Sequence, residues 1–335
     1  MACADIAKAA KLVYYPDSEP GITRRRAGRG FSYTAADGTR IDDVAERDRI
    51  AAIAVPPAYE NVWISPLLRG HLQATGLDDR ARKQYRYHAD WTEHHSQLKF
   101  EKLASFAESL PQLRRWIGSH LRNPIGERDT AVAATLALID RASLRVGHSC
   151  YTEENGSYGA TTMLNEHGDF ADGRVRLAYV GKGGAQIEKD FYAPRLSAVL
   201  EACQDLPGAE IITWLDEAGR AHAVRSEQIN ETLHEICGPD ITAKTIRTWN
   251  GTLAAFGVAQ SGSHLTVKAM ADAASGVLHN TPTVARNSYV HPAVIALAEV
   301  DDDDRATMLK SMKARSSQAG LRQGEADLIA FLRNI

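Results

Sequence analysis

The sequence predicts an α+β fold, with a small N-terminal antiparallel β-sheet domain over residues 1–90 and a larger, mainly α-helical domain with β-hairpins over residues 91–335. Up to about residue 88 the apolar residues fall in short runs between turn residues. From Trp91 onward they recur every three to five positions, which is typical of helices. Two segments with glycine-containing turns interrupt the helical part and predict the hairpins.

The N-terminal domain is predicted to begin with an arm and to continue in short strands. Residues 31–34 and 39–41 flank Asp37-Gly38, a dipeptide typical of hairpin turns. The run 59–64 predicts a further edge strand.

Residues 80–88 interleave basic and aromatic side chains. This composition suits contacts with nucleic-acid phosphates and bases, but it is also typical of an exposed edge strand protected by charge. A second basic cluster near the arm comprises Arg24, Arg25, Arg26 and Arg29.

In the helical domain, Pro111 is predicted to divide the apolar periodicity of residues 98–121 into two helices. The next run, residues 131–144, is apolar on most faces, which predicts a buried helix leading directly into Arg145. The first hairpin alternates inward apolar residues with outward arginines and then places Lys182 in a glycine turn.

A later helix, opened by Thr242, carries Arg247 outside its apolar stripe. Small residues one turn on, Gly251 and Ala254, leave room for a bulky ligand or for another backbone.

A short helix towards the C-terminus is predicted from its two ends. Thr281 suits its cap and Pro282 its first position, while Pro292 limits the helix soon after Tyr289.

The bulk composition is that of an ordinary globular protein, with 335 residues, 44% hydrophobic and 24% charged. No run approaches the roughly 20 apolar residues of a membrane helix, and the start of the chain lacks a signal peptide's apolar region, so we expect a cytoplasmic protein. Because the formal net charge is -3, a nucleic-acid site must be a local basic surface. The four cysteines are scattered, and the sequence has neither a GxxxxGK[ST] phosphate loop nor a metal-binding pattern.

Tyr289 and three cations, Arg145, Lys182 and Arg247, suggest phosphodiester chemistry when they are taken together. A phenol has an unperturbed pKa of about 10, so an attacking tyrosine needs cations that stabilise its anion and the developing phosphorane. Taken singly, the tyrosine is typical of a core position, the arginines of structural ion pairs, and the lysine of a solvated turn.

Four motifs occur in order along the chain: Leu144-Arg145-Val146-Gly147, Tyr179-Val180-Gly181-Lys182, the segment from Lys244 to Gly251, and Asn280-Thr281-Pro282 with Ser288-Tyr289-Val290-His291-Pro292. Together they resemble the type IB DNA topoisomerases, specifically the compact poxvirus-like form found in bacteria. Each motif alone is weakly specific, but the ordered set is highly specific and the resemblance covers nearly the whole chain.

The resemblance implies that Tyr289 attacks a DNA phosphodiester, leaving a 3′-phosphotyrosyl link and a free 5′-hydroxyl. It implies that Arg145 and Arg247 hold the nonbridging oxygens, since guanidinium groups form paired hydrogen bonds to phosphate. It further implies that Lys182 is the general acid, which protonates the departing 5′ oxygen from a mobile hairpin.

The viral and cellular relatives have a histidine at the position of Asn280. Bacterial members of the family have asparagine there, as this chain does. An amide donates a hydrogen bond to a phosphoryl oxygen but adds no charge. The neighbouring His279 fits this place less well, because the spacing of Asn280 to Tyr289 is the family's spacing.

The resemblance also implies a C-shaped clamp around double-stranded DNA, formed by a β-rich DNA-clamp domain and a helical catalytic domain. We expect DNA contacts from the basic and aromatic segment and from the loop and helix that follow the first catalytic arginine. These residues are Arg80, Arg82, Lys83, Gln84, Tyr85, Arg86, Tyr87, Tyr151 and Tyr158.

The implied reaction relaxes supercoiled DNA by transient single-strand cleavage, strand rotation and religation. It needs no ATP, metal or other cofactor, because the phosphotyrosine retains the bond energy. We expect a monomer associated with the nucleoid and with no membrane partner. Two alternatives are a tyrosine site-specific recombinase, which usually carries a histidine where this chain has Lys244, and a catalytically weak DNA-binding protein on the same scaffold.

Overall fold

The computed structural model describes residues 3–147, 152, 156–261, 264–314 and 318–335. The chain divides into two compact units between Lys99 and Phe100. The predicted α+β fold is confirmed, because an antiparallel sheet dominates the first unit and helices dominate the second. Of the helices in the described ranges, none is long and apolar enough to cross a membrane.

The first unit is built on a five-stranded antiparallel sheet with strand order β2-β1-β3-β4-β5. Its strands are β1 (Ile22–Ala27), β2 (Gly30–Thr34), β3 (Glu60–Ile64), β4 (Leu72–Leu77) and β5 (Lys83–Tyr87). Its helices are α1 (Cys3–Ala9), α2 (Val44–Ala52) and most of α3 (Ala89–Glu101). The apolar contacts of this sheet centre on Ile22, Val62 and Ile64, which are buried.

The hairpin predicted around Asp37-Gly38 is reduced to a single bridge between Thr34 and Arg40. The prediction of a strand at residues 39–41 was therefore wrong. β2 pairs instead along its whole length with β1, so that the arginines of β1 are sheet residues.

The second unit is mainly helical. Its helices are α4 (Leu103–His120), α5 (Arg128–Ala142), α6 (Pro194–Gln204), α7 (Ser226–Cys237), α8 (Ala243–Ser261), α9 (Val267–Leu278), α10 (Pro282–Tyr289), α11 (Pro292–Ala296), α12 (Asp302–Ser311) and α13 (Glu325–Arg333). A three-stranded sheet, order β6-β7-β8, comprises β6 (Gly168–Asp169), β7 (Arg174–Val180) and β8 (Gln186–Tyr192), and the second hairpin pairs β9 (Thr213–Leu215) with β10 (Ala221–Ala223). As predicted, α5 is buried on most faces and forms the centre of this unit.

The helix break predicted at Pro111 was wrong, because the chain breaks at Lys102 and Pro111 lies inside α4. A proline in a helix removes one backbone hydrogen bond. The buried side chains of Leu110 and Leu113 on either side of it keep the helix packed on the core.

A buried ion network joins the C-terminal helix α13 to the centre of the unit. Arg114 makes paired hydrogen bonds to Asp140 (3.0 and 3.1 Å) and also donates to the carboxylate of Glu325 (2.6 and 2.8 Å). Glu325 is fully buried and accepts a further hydrogen bond from the indole of Trp249 (3.0 Å). The network therefore fixes α8, which carries Arg247, to α13.

Candidate active site

Arg145 lies on a segment that the backbone holds rigidly beyond the end of α5. Ser143 ends α5 in a left-handed conformation (φ 56°), and the carbonyl of Arg145 accepts a hydrogen bond from the amide of Ala160 (2.8 Å). Gly147 has φ 99°, and a Cβ there would lie 2.8 Å from Oγ1 of Thr162. Only glycine fits this position, which explains the Arg-Val-Gly order of the motif.

Arg247 is buried, with 4% of its surface exposed. Its Nη1 donates to the carbonyl of Ser143 and its Nη2 to the carbonyl of Leu278 (3.1 Å). Both acceptors lie at helix C-termini, whose partial negative charge favours a cation. Burial lowers the pKa of Arg247 and the charge of Arg145 lowers it further, whereas the interaction with Tyr289 opposes the shift. The Nε of Arg247 has no hydrogen-bond partner among the described residues.

Tyr289 is the last residue of α10 and lies beside Arg247, whose Cζ is 5.3 Å from the centroid of the tyrosine ring. The carbonyl of Tyr289 accepts a hydrogen bond from Oγ1 of Thr252 on α8 (3.2 Å). At Gly251, one residue earlier, a Cβ would lie 2.9 Å from that carbonyl. The space predicted beside Arg247 is therefore taken by another backbone, that of Tyr289.

Helix α10 begins as predicted. Pro282 is its first residue, and the Thr281 side chain accepts a hydrogen bond from the amide of Val284 (3.3 Å). This cap fixes the start of the helix that ends in Tyr289.

Asn280 lies against Arg145 in the loop between α9 and α10. The Oγ of Ser275 donates to the carbonyl of Asn280 (2.6 Å), and His279 has a left-handed backbone (φ 48°). Nη2 of Arg145 donates to Oδ1 of Asn280 and to the carbonyl of His279 (3.3 Å). Within the described part of the chain, Nδ2 of Asn280 and Nε2 of His279 are buried without a partner. The side-chain amide of Asn280 therefore retains a free donor beside Arg145.

Two further ionisable side chains, Tyr179 on β7 and Lys189 on β8, interact with this cluster and were not predicted as site residues. Burial raises the pKa of Tyr179 to about 12, although the charges of Arg145 and Arg247 oppose the shift. Burial lowers the pKa of Lys189 to about 8, and the charge of Arg247 acts in the same sense. The pKa of His279 is lowered by burial and then by the charges of Lys189 and the two arginines. Lys189 could have been noticed in the sequence, because a lysine stands there at a strand position where the alternation of apolar and polar residues predicts an apolar side chain.

Lys182 occupies the exposed tip of the β7-β8 hairpin, where Gly183 and Gly184 have φ of 76° and 77°. The hydrogen bonds, ion pairs and ring contacts identified among the described residues do not join Lys182 to the cluster. The structure thus brings together the predicted residues Arg145, Arg247, Asn280 and Tyr289, and it places Lys182 on the hairpin that carries Lys189.

The segment expected to contact DNA from the first unit forms the edge strand β5 and the turn before it, where Arg80 lies. The side chains of Tyr85 and Tyr87 are exposed (48% and 45%), and their rings stack 6.1 Å apart. Because both aromatic faces are at the sheet edge, these tyrosines are available to a partner, and DNA contact stays a prediction.

Several cations of this segment are engaged within the first unit. Arg82 pairs with Asp78 (2.7 Å), and Gln84 donates to the same carboxylate (3.0 Å). Lys83 pairs with Asp17 (2.5 Å). Arg86 similarly donates to the carbonyl of Ala54 (3.0 Å).

Arg24, from the second basic cluster, has a structural role. Its guanidinium donates to the carbonyls of Val55 (3.1 Å), Pro56 (3.0 Å) and Tyr59 (2.6 Å) and lies 4.2 Å from the ring centroid of Phe31. These contacts use the donors that a phosphate contact would need.

Of the two tyrosines expected to follow Arg145 on the DNA-facing side, Tyr151 lies outside the described residues. The amide of Tyr158 donates to the carbonyl of Val180 (2.9 Å), and its ring packs on His167 with centroids 4.3 Å apart. Tyr158 therefore joins its segment to the hairpin that carries Lys182, and its contact with DNA stays a prediction.

Two family models match this chain. Residues 88–281, more than half of its length, match the catalytic core of eukaryotic DNA topoisomerase I. Residues 30–78 match the N-terminal domain of bacterial DNA topoisomerase IB. The chain belongs to the type IB DNA topoisomerases. The predictions of the family and of the enzyme class are thereby confirmed.

This type IB topoisomerase is 27% identical over 237 residues to the DNA topoisomerase 1B of Acanthamoeba polyphaga mimivirus, and the match covers 70% of each chain. It is 28% identical over 94 residues to the DNA topoisomerase 1 of Mycosarcoma maydis, covering 28% of this chain and 9% of that protein. The match to the catalytic core ends at residue 281, before Tyr289. The assignment of the nucleophile therefore depends on the geometry.

Across the described ranges, no group of three or more His, Cys, Asp and Glu side chains is placed to hold a metal ion.

Proposed function

We propose that this topoisomerase relaxes supercoiled double-stranded DNA by cleaving one strand with Tyr289. The phenol loses its proton to solvent and its oxygen forms a bond to phosphorus, the bond from phosphorus to the 5′ oxygen breaks, and the departing oxygen takes up a proton. The products are a 3′-phosphotyrosyl link and a free 5′-hydroxyl. After strand rotation the 5′-hydroxyl attacks the phosphotyrosine, which restores the DNA and releases the tyrosine.

The observation that carries this proposal is the cluster of Arg145, Arg247 and Asn280 around the C-terminal end of α9, with Tyr289 beside Arg247. Two buried donors in this cluster, Nε of Arg247 and Nδ2 of Asn280, have no partner within the described residues. An unpaired buried donor costs about 1–3 kcal/mol. A phosphodiester offers anionic oxygens that satisfy such donors, and the two guanidinium groups supply the charge that stabilises a pentavalent phosphorus.

Arg247 has a second effect, on the nucleophile itself. The guanidinium lies beside the ring of Tyr289, and the two interact favourably. A cation in this position stabilises the phenolate relative to the phenol. The same residue therefore supports both the attacking oxygen and the phosphate.

Lys182 is assigned the proton donation to the 5′ oxygen. Its place at an exposed tip with two glycines in left-handed conformations supports a hairpin that closes on bound DNA. Proton transfer to a departing oxygen typically contributes a factor of about 10²–10⁴ to the rate.

The first unit is assigned DNA contacts through Gln84, Tyr85 and Tyr87 on the edge strand β5. Exposed, stacked rings and an amide suit contacts with bases and sugars, and nearby Arg80 suits a phosphate. The enzyme acts as a monomer at the nucleoid.

The reaction exchanges one phosphodiester for another, so we expect it to proceed without ATP. The test is relaxation of negatively and positively supercoiled plasmid in EDTA without nucleotide. Wild-type protein is expected to relax both, and Tyr289→Phe is expected to bind DNA without relaxing it. Plasmid that stays supercoiled at high enzyme excess refutes the proposal, and exchange between two marked DNA sites indicates a recombinase instead.

A further inference from the structure

Lys189 has an unusual position for a lysine, because it lies on the apolar face of the β7-β8 hairpin. It pairs directly with Leu177, which is buried, and the neighbouring position on the same face of β8 is Ile187, also buried. A charged side chain on such a face normally needs a specific partner to offset its desolvation.

The partner of Lys189 is the end of helix α9. Its Nζ donates to the carbonyl of Val277 (3.0 Å) in the last turn. Carbonyls in the last turn of a helix have no intrahelical partner and carry partial negative charge, so they favour a cation.

Three consecutive carbonyls at this helix end are held by three different cations. Val277 accepts from Lys189, the next carbonyl, of Leu278, accepts from Arg247, and that of His279 accepts from Arg145. Lys189 is thus the first member of a row that continues into the two arginines assigned to the phosphate.

We propose that Lys189 is a positioning residue of the active site, which anchors the middle of the hairpin carrying Lys182 to the helix end that holds both arginines. This inference rests on the proposed function of Lys182 as the proton donor. The tip of the hairpin is a glycine turn, whereas its middle is held to the end of α9 by this charged contact among apolar side chains. The placement of the tip over the 5′ oxygen then depends on the anchor.

The charges around Lys189 indicate how the anchor responds to pH. Arg247 on α8 and His279 at the end of α9 face it, and the charge of Arg247 opposes the protonated form of Lys189. Lys189 also lines an open groove, together with charged or titratable residues of the hairpin, of β6 and of the segment before β6. These are Glu166, His167, Asp169, Arg176, Glu188 and Asp190.

With a pKa of about 8, the ammonium loses its proton as the pH rises through that value in DNA-free protein. A bound phosphate favours the charged form and raises this pKa. Arginine keeps its charge throughout the working range, so Lys189→Arg removes this titration while retaining a cation.

The test compares Lys189→Met, Lys189→Arg and a surface control, Lys310→Met, in single-turnover cleavage at saturating DNA. Lys189→Met is expected to cleave about 10- to 100-fold more slowly at unchanged DNA affinity, since misplacing a catalytic group by about 1 Å can cost 10²-fold. Lys189→Arg is expected to restore most of the cleavage rate. It is also expected to lack the change in cleavage rate that wild type shows at alkaline pH as Lys189 loses its proton. Lys310→Met is expected to match wild type.

A substrate with a 5′-bridging sulfur shows which group Lys189 positions, because a thiolate leaves without needing a proton. The defect of Lys189→Met is expected to shrink on this substrate, as that of Lys182→Met does. An undiminished defect there, or a rate of Lys189→Met equal to wild type on normal DNA, overturns the inference. If wild-type protein itself forms no covalent complex, the proposed function fails instead, so the two failures are distinguishable.

Discussion

Replacing Gly251 by alanine is expected to displace Tyr289 without altering a residue that is assigned to contact DNA. A Cβ at position 251 would lie 2.9 Å from the Tyr289 carbonyl oxygen and 2.8 Å from Cδ1 of Leu278. The leucine can change rotamer, but the carbonyl belongs to the end of α10 and moves only with the tyrosine. Ordinary contact begins at 3.4 Å, so the Tyr289 backbone must retreat by about 0.5 Å, the difference between 3.4 and 2.9 Å.

The expected cost of this displacement follows from the geometry of attack. A misplacement of about 1 Å can reduce a rate by about 10²-fold. A displacement of about half that distance therefore corresponds to a cleavage step that is roughly 10-fold slower. Overpacking also destabilises by about 1–3 kcal/mol. The better helix propensity of alanine offsets about 1 kcal/mol of this.

Gly257 offers a matched control on the same helix, since a Cβ there meets nothing within 4 Å. Gly257→Ala is expected to be more stable by about 1 kcal/mol and to cleave at the wild-type rate. Single-turnover cleavage and DNA affinity are measured for both variants. Equal cleavage rates for the two, or a loss of DNA binding that accounts for the slower cleavage of Gly251→Ala, refute the reasoning.

Three further predictions follow from the contacts of the second unit. Glu325→Ala is expected to lower the free energy of unfolding by about 3–5 kcal/mol, because it leaves a buried arginine without one of its carboxylates; thermal unfolding that matches wild type contradicts this. Asn280→Ala is expected to slow cleavage about 100-fold by removing a donor to the phosphate, whereas His279→Ala has a smaller effect; the reverse order in single-turnover assays shows that the histidine is the phosphate donor. In DNA-free protein, the cost of burying the charge of Lys189 is present below pH 8 and is relieved between pH 8 and 10.5. Urea titrations are therefore expected to show the free energy of unfolding of wild type rising relative to that of Lys189→Met across this range. A constant difference between the two proteins contradicts the lowered pKa of Lys189.

The parts of the fold that were predictable from sequence are those set by local chemistry. Thr281 and Pro282 define the start of α10 because a side-chain cap and a fixed φ act within one turn. The alternation of β7 predicts its buried face, and the small Gly251 indicates room for a ligand or a backbone, of which the structure shows the backbone.

The parts that were not predictable depend on residues distant in the chain. Pro111 looks like a helix break, but packing on both sides keeps α4 continuous. Arg24 resembles its basic neighbours in sequence, yet three carbonyls from one distant segment bind its guanidinium. No local pattern shows that Glu325 meets Arg114.

The candidate site divides in the same way. The ordered motifs indicate the residues Arg145, Arg247, Asn280 and Tyr289, and the structure brings them together. The four motifs do not include Lys189, whose sequence signal is a cation at an apolar position of a strand. Its partner could not be predicted, because a backbone carbonyl has no sequence signature.

The central claim is that the phenolic oxygen of Tyr289 becomes bonded to a DNA 3′-phosphate. The most direct measurement traps the cleaved state on a DNA whose fragment with the free 5′-hydroxyl dissociates, then digests the protein and locates the nucleotide adduct by mass spectrometry. The adduct is predicted on Tyr289 in wild-type protein and is predicted to be absent from Tyr289→Phe. An adduct on another side chain, or relaxation by Tyr289→Phe, contradicts the claim.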